Sequence, residues 1–253
     1  MLLELENITK SFGGLMAVRA MNLMVDEGEI VGLIGPNGAG KTTLFNLVSG
    51  ALAPDTGTIA FRGRPIQGSP AHQVAALGLA RTFQHMKLFA RMTALENVMV
   101  GRHVRGRAEF LAGMLHLPFT RGEEREIRQR ALDVMEVLGI SRLADADAKS
   151  LSYGQQRMVE LARALAGEPE LLLLDEPAAG LNMRETADMA RTIANIRDRG
   201  VTVLVVEHDV PLVMGISDEI VVLSYGEKIA DADPRSVQQD PNVIRVYLGE
   251  EDA

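Results

Sequence analysis

EIVGLIGPNGAGKTTLFNLVSG, residues 29–50, decides the fold. An apolar run at 30–34 enters GPNGAGKTT at 35–43, and a segment with Leu44, Leu47 and Val48 on one helical face leaves it. The pattern G-x-x-x-x-G-K-[ST] is filled by Gly35, Gly40, Lys41 and Thr42, in the strand–loop–helix setting that a phosphate-binding loop requires. Glycines let successive N–H groups converge on phosphate oxygens, and the helix start adds its positive end. Lys41 is placed to reach the outer phosphates, and the Thr42 hydroxyl suits a magnesium ion. Pro36, Asn37, Gly38, Ala39 and Thr43 complete the predicted nucleotide-binding set. Charge-assisted hydrogen bonds contribute roughly 1.5–3 kcal/mol each, so four or five suffice to hold a nucleotide.

Bulk properties narrow the class. A chain of 253 residues suits one large domain or two small ones. It has no cysteine, which excludes disulfides, thiolate zinc sites and a cysteine nucleophile. The net charge of −8 argues against broad nucleic-acid binding. No apolar run approaches the ~18–20 residues that span a bilayer, and MLLELENITK lacks the basic start and apolar centre of a signal peptide. A soluble chain is expected, with any membrane part supplied by a partner.

Outward from the loop, 2–8, 18–25 and 58–61 read as strands of a small antiparallel sheet. Residues 93–166 are mainly helical. Within them the Arg-rich stretch 101–130, interrupted by Gly106, Gly113, Pro118 and Gly122, reads as a projecting loop or short helices. It is either a solvated insertion or a docking surface for a partner or anionic lipid heads. The runs 171–174 and 201–206 read as buried parallel strands. Between them, 186–199 carries Met189, Ile193 and Ile196 on one helical face and stops at Gly200. Residues 220–223 and 228–230, joined through Tyr225-Gly226, read as a hairpin. Strand–helix alternation predicts an α/β fold with a mainly parallel sheet.

Five further positions bear on chemistry. LLLLDE at 171–176 ejects Asp175 at a strand end, where it suits a magnesium shell. Glu176 then falls where a general base would face water; the alternative is a solvated loop start. LSYGQQ at 151–156 sets Ser152 and Gln155 as a capping box. Ser152 either only caps the helix, or its hydroxyl, the Gly154 N–H and the helix dipole also grip a terminal phosphate. Gln84 in RTFQH lies where the core meets the helical stretch, as a surface amide or a magnesium ligand that orients water. His208 in VVEHD is structural or a donor to a γ-phosphate, and Phe12 in KSFGGL is core or a base-stacking ring in a loop.

Together these motifs resemble the ABC ATPase family across nearly the whole chain. FGGLMAV (12–18), RTFQHMKLF (81–89), SYGQQR (152–157), EPAAGLN (176–182), EHD (207–209), LVMGISD (212–218) and VIRVYLGE (243–250) are similar to the LivG-type ATP-binding subunits of branched-chain amino-acid importers. The resemblance implies a P-loop ABC ATPase core with an N-terminal antiparallel β part (1–84 and 164–253) and a helical subdomain (85–163) containing the 101–130 insertion. It implies ATP hydrolysis with Glu176, His208 and Gln84 catalytic. Phe12 would stack on the adenine, and Mg2+ would be held by Thr42, Gln84 and Asp175. The signature Ser152, Tyr153, Gly154 and Gln155 would reach the partner subunit's ATP, beside a D-loop of Ala179, Gly180, Leu181 and Asn182. The implied partners are a second ABC ATPase subunit (a sister chain or a copy), two membrane permease subunits and, indirectly, a solute-binding protein. The apolar pair Leu88 and Phe89 beside Gln84 marks 85–89 either as a patch that touches the permease or as simply buried. The implied location is the cytoplasmic face of the inner or plasma membrane. A lipopolysaccharide-extracting ATPase is the alternative within transport; an ABC ATPase of DNA repair or translation is the alternative outside it. Two departures stand out: Tyr153 replaces the first glycine of the usual signature pair, and Asn182 stands where many members carry aspartate.

Overall fold

The computed structural model describes residues 1–84, 87–102 and 120–248. They form two compact units, Met1–Arg81 with Glu170–Ala253, and Thr82–Pro169. The sequence-based division at 84/85 and 163/164 thus falls instead at 81/82 and 169/170.

In the first unit, β1 (Leu3–Phe12) and β2 (Leu15–Val25) pair antiparallel around Gly13-Gly14, with Gly13 at φ 58°. Next come β3 (Ile30–Ile34), α1 (Lys41–Val48), β4 (Thr56–Phe61), β5 (Arg64–Pro65), α2 (Ala71–Ala76) and β6 (Leu79–Arg81). An antiparallel sheet has the order β2-β1-β4-β5. Its inward side chains Leu3, Leu5, Val18, Met21, Leu23, Ile59 and Phe61 are fully buried.

The second unit is helical: α3 (Ala94–Arg102), α4 (Thr120–Val137) and α5 (Tyr153–Ala166). Residues 103–119 of the Arg-rich stretch lie outside the described residues, but 120–130 are not the expected loop or short helices. They belong to the continuous helix α4, because Ile127, Ala131 and Met135 recur every four residues and all three are buried. A Cβ on Gly101 would lie 1.9 Å from the Arg163 carbonyl oxygen, so α3 and α5 touch backbone to backbone.

The chain then returns to the first unit through β7 (Leu171–Asp175), α6 (Met183–Asp198), β8 (Thr202–Val206), α7 (Val210–Ile216), β9 (Glu219–Ser224), β10 (Glu227–Ala232), α8 (Pro234–Gln239) and α9 (Pro241–Leu248). The second sheet has the order β10-β9-β3-β8-β7-β6. β9, β3, β8, β7 and β6 run parallel, and β10 closes the edge antiparallel. Every residue of β3, β7 and β8 is buried, which is why these strands read as unbroken apolar runs. Leu44, Phe45, Leu47 and Val48 of α1 bury against one face of this sheet, at about 1.5–3 kcal/mol per large side chain. Val213, Val237 and Val243 from α7, α8 and α9 cover the other. Parallel registry brings the C-terminal ends of β3, β7 and β8 to one edge, where ligands bind in open α/β sheets.

Candidate functional site

The loop after β3 is shaped by three glycines at positive φ, Gly35 (147°), Gly38 (81°) and Gly40 (102°). Two of them also make room. A Cβ on Gly35 would meet the Leu223 carbonyl oxygen at 2.1 Å, and one on Gly40 the Ala17 carbonyl oxygen at 2.3 Å. The Tyr225-Gly226 turn pins the loop from below: the Gly226 N–H donates to Ala39 O at 3.0 Å, and the Arg19 N–H to Gly226 O at 2.8 Å. From α9, the Tyr247 hydroxyl accepts from the Gly35 N–H, while burial pushes its pKa up. Lys41 is buried, and its ammonium donates to the carbonyls of Gly35 at 2.5 Å and Pro36 at 3.0 Å. Burial lowers its pKa, opposed by the charges of Glu176 and Asp175. No acidic side chain occupies the first turn of α1, so its positive end faces the loop unneutralised.

Asp175, 3% exposed, closes β7. Its Oδ2 accepts from Arg81 at 2.9 Å, and Arg81 also donates to Asn46 Oδ1 at 2.7 Å and Ser49 Oγ at 3.0 Å on α1. Arg81 therefore clamps the carboxylate to the helix that begins with Lys41. The next residue turns sharply: Glu176 has φ 50°, and its N–H donates to Val206 O at 2.9 Å. The side chains of 175 and 176 thus serve different neighbours, and Glu176 Oε1 lies 2.9 Å from His208 Nε2. Buried Glu207 sets both flanking loops. It accepts from the Ala178 N–H at 2.6 Å and the His208 N–H at 3.1 Å, and burial raises its pKa.

The loop after Glu176 passes Ala179, Gly180 at φ 80° and Leu181. Asn182 ends it as the N-cap of α6: its Oδ1 accepts from the N–H groups of Arg184 and Glu185, and Glu185 accepts from the Asn182 N–H. Asparagine at this departure is a sound cap. Phe12 is the last residue of β1 rather than part of a loop. It is 48% exposed, so it is not core, and it faces Leu15 across the strand pair with Lys10 Nζ 5.7 Å from its ring centroid.

The second unit carries the remaining predicted residues. Ser152 caps α5 in a capping box with Gln155, and Tyr153 and Gly154 form its first turn. Gln84 is exposed at the start of the unit. His85 and Met86 lie outside the described residues. Of the apolar pair that follows, Leu88 packs against the helical core, so only Phe89 is exposed.

The first unit therefore gathers Lys41, Asp175, Glu176 and His208 at one sheet edge, while Gln84 and Ser152–Gln155 belong to the second. Thr42 and the buried Asp175 carboxylate suit magnesium, which takes one or two carboxylates plus substrate phosphates. Sequence reasoning missed Arg81, Glu207 and Arg157. Each has a partner far along the chain: Asp175 for Arg81, the Ala178 N–H for Glu207, and the Phe83 and Gln84 carbonyls for Arg157; only the unusual placement of charges beside apolar runs marked them.

A phosphate loop with strand-end carboxylates on a parallel sheet defines a P-loop nucleotide hydrolase. Residues 18–179 match the ABC transporter family, and 227–253 match the branched-chain amino acid ATP-binding cassette transporter family. The chain is 47% identical over 250 residues to the high-affinity branched-chain amino acid transport ATP-binding protein BraF of Pseudomonas aeruginosa, covering 98% of each chain. It is 44% identical over 250 residues to the LivG protein of the same description from Escherichia coli, again covering 98% of each. An ATP-binding cassette of an ABC transporter, solved in its ADP conformation, superposes with a TM-score of 0.86 at 32% identity, over 98% of this chain and 99% of that one. The lipopolysaccharide export ATP-binding protein of E. coli is more distant, at 37% identity over 98% of each chain. The chain belongs to the ABC transporter ATP-binding family, whose members hydrolyse ATP to power transport. Among the described residues no helix is long and apolar enough to cross a membrane.

Proposed function

We propose that this chain hydrolyses ATP to drive a branched-chain amino-acid importer. The observation that carries the reading is the Glu176–His208 contact of 2.9 Å beside Lys41 and Asp175. The β- and γ-phosphates rest on the N–H groups of 35–43 and on Lys41, with Phe12 under the adenine. Glu176 accepts a proton from the attacking water as the water oxygen bonds to the γ-phosphorus; the bond to the β,γ-bridging oxygen breaks and ADP leaves. With the carboxylate as acceptor, His208 Nε2–H holds Glu176 in line and lies beside the γ-phosphate. Magnesium, bound by Thr42, Asp175 and Gln84, would neutralise charge on the transferred phosphoryl group.

The signature Ser152–Gln155 and the D-loop 179–182 complete the site of a second ATPase subunit, a sister chain or another copy. The capping box leaves the Ser152 hydroxyl able to donate while it caps. Phe89, the exposed member of the apolar pair, is the residue of this stretch offered to the permease pair, which receives solute from a binding protein. The chain works at the cytoplasmic face of the inner or plasma membrane. Glu176→Gln tests the reading: it should retain ATP affinity, lose turnover about 10²–10⁴-fold and hold a stable ATP-bound dimer. Wild-type hydrolysis by this variant would remove Glu176 from the mechanism.

A further inference from the structure

Helix α5 places a charged cluster inside the second unit, where an apolar helix face would pack more simply. Arg157 and Glu160 are 3% and 2% exposed. The Arg157 guanidinium donates to Phe83 O at 3.2 Å, Gln84 O at 2.9 Å, the Tyr153 hydroxyl at 3.0 Å and Glu160 Oε2 at 3.3 Å. The Phe83 N–H in turn donates to Glu160. Arg163 extends the cluster, donating to Lys87 O at 2.7 Å and approaching Glu160 Oε1 at 3.7 Å. The acceptors at 83, 84 and 87 are all main-chain carbonyls. What the cluster fixes is therefore the backbone path that carries Gln84, whatever the side chains of that segment.

Tyr153 gives the cluster its second attachment. Its ring centroid lies 5.4 Å from the Arg157 guanidinium, and its hydroxyl takes a hydrogen from the same nitrogen that bonds Gln84 O. A glycine, usual at this signature position, has neither ring nor hydroxyl. Only a planar fork of donors serves two carbonyls, a hydroxyl and a carboxylate at once; a lysine ammonium does not. Tyr153 follows Ser152, so one buried guanidinium joins the first turn of the signature helix to the main chain at Gln84.

We propose that Arg157, pinned by the Tyr153 hydroxyl, is a positioning residue that makes the placement of Gln84 depend on the first turn of α5. This rests on the roles given above to Gln84 and Ser152. A nucleotide engaged at Ser152 then biases Gln84 in the same chain, although neither side chain touches the other's ligand.

The test is steady-state ATPase kinetics of the full chain, per mole of bound nucleotide, for Tyr153→Phe, Arg157→Lys, Gln84→Ala and the Tyr153→Phe/Gln84→Ala double variant. Tyr153→Phe removes one hydroxyl; it should lower kcat up to about tenfold, the worth of one hydrogen bond, with KM for ATP within about twofold. Arg157→Lys should lower kcat at least as far. In the Gln84→Ala background Tyr153→Phe should add no further loss, because residues acting as a unit are not additive. Wild-type kcat in Tyr153→Phe or Arg157→Lys overturns the link. Losses that multiply in the double variant, with Gln84→Ala itself slow, overturn the link and leave the role of Gln84 standing. A Gln84→Ala variant with wild-type turnover removes that role and the proposal with it.

Discussion

Arg81→Met removes a buried cation while keeping most of the side chain's length. The Arg81 and Asp175 side chains are 9% and 4% exposed and lie 2.9 Å apart. The guanidinium also loses Asn46 and Ser49 as acceptors, and its place 5.6 Å from the Phe45 ring centroid. Removing one side of a buried ion pair destabilises by about 3–5 kcal/mol, because the other charge stays desolvated. For a chain of this size, about 2–4 °C per kcal/mol converts that to a melting temperature roughly 6–20 °C lower. Thermal unfolding by circular dichroism, without nucleotide or divalent cation, reads the change free of any catalytic effect. Asp175→Asn introduced into the Arg81→Met background neutralises the stranded carboxylate and should recover at least about 1.5 kcal/mol, since groups in contact couple by up to ~3 kcal/mol. A loss below about 1 kcal/mol in the single variant, the level of an exposed pair, or strict additivity in the double variant would refute the clamp.

Glu219 titrates at about 7, raised chiefly by its hydrogen bond with Asp231, then by burial and the charges of Asp231 and Glu29, against Lys228. The folded state thus holds this proton more tightly than the unfolded state, so the stabilisation is complete below the ordinary value of 4.5 and disappears as pH rises through about 7. Glu219→Gln should flatten the pH dependence of the urea midpoint between pH 5 and 8 and raise stability above pH 7 relative to wild type; an unchanged slope would contradict this. Gly35→Ala should destabilise more than Gly38→Ala, because its Cβ meets backbone at 2.1 Å whereas nothing lies within 4 Å of the latter; denaturant midpoints rank the two. Asn182→Ala should lose about 1 kcal/mol of stability and Asn182→Asp almost none, and equal losses in both would mean that the cap does not hold α6.

The buried strands β3, β7 and β8 were legible because a strand covered on both faces must be apolar throughout. β6 was not: three residues carry no period, and its place beside β7 comes from pairing across 92 positions, Leu79 with Leu171. α4 was misread through residue 130 because arginines and glutamates masked its one-sided stripe of Ile127, Ala131 and Met135. At the site, the legible residues are those whose chemistry depends on near neighbours, as in 35–43 and 175–176. Arg81 acts on a carboxylate 94 positions away, and Arg157 on carbonyls 73 and 74 positions away. Such partners become visible only when the chain is folded.

The left-handed backbone at Glu176, φ 50°, carries a consequence for selection. An L-residue with a Cβ is held there at about 1–2 kcal/mol above a relaxed conformation, and glycine or asparagine would sit there with less strain. With Glu176 as the base proposed above, stability and turnover pull opposite ways at this one codon. A screen for heat resistance alone should return Glu176→Gly and Glu176→Asn among its early gains, and those survivors would be silent in transport. Laboratory evolution towards a tougher protein must score function in every round, or it will discard the carboxylate first.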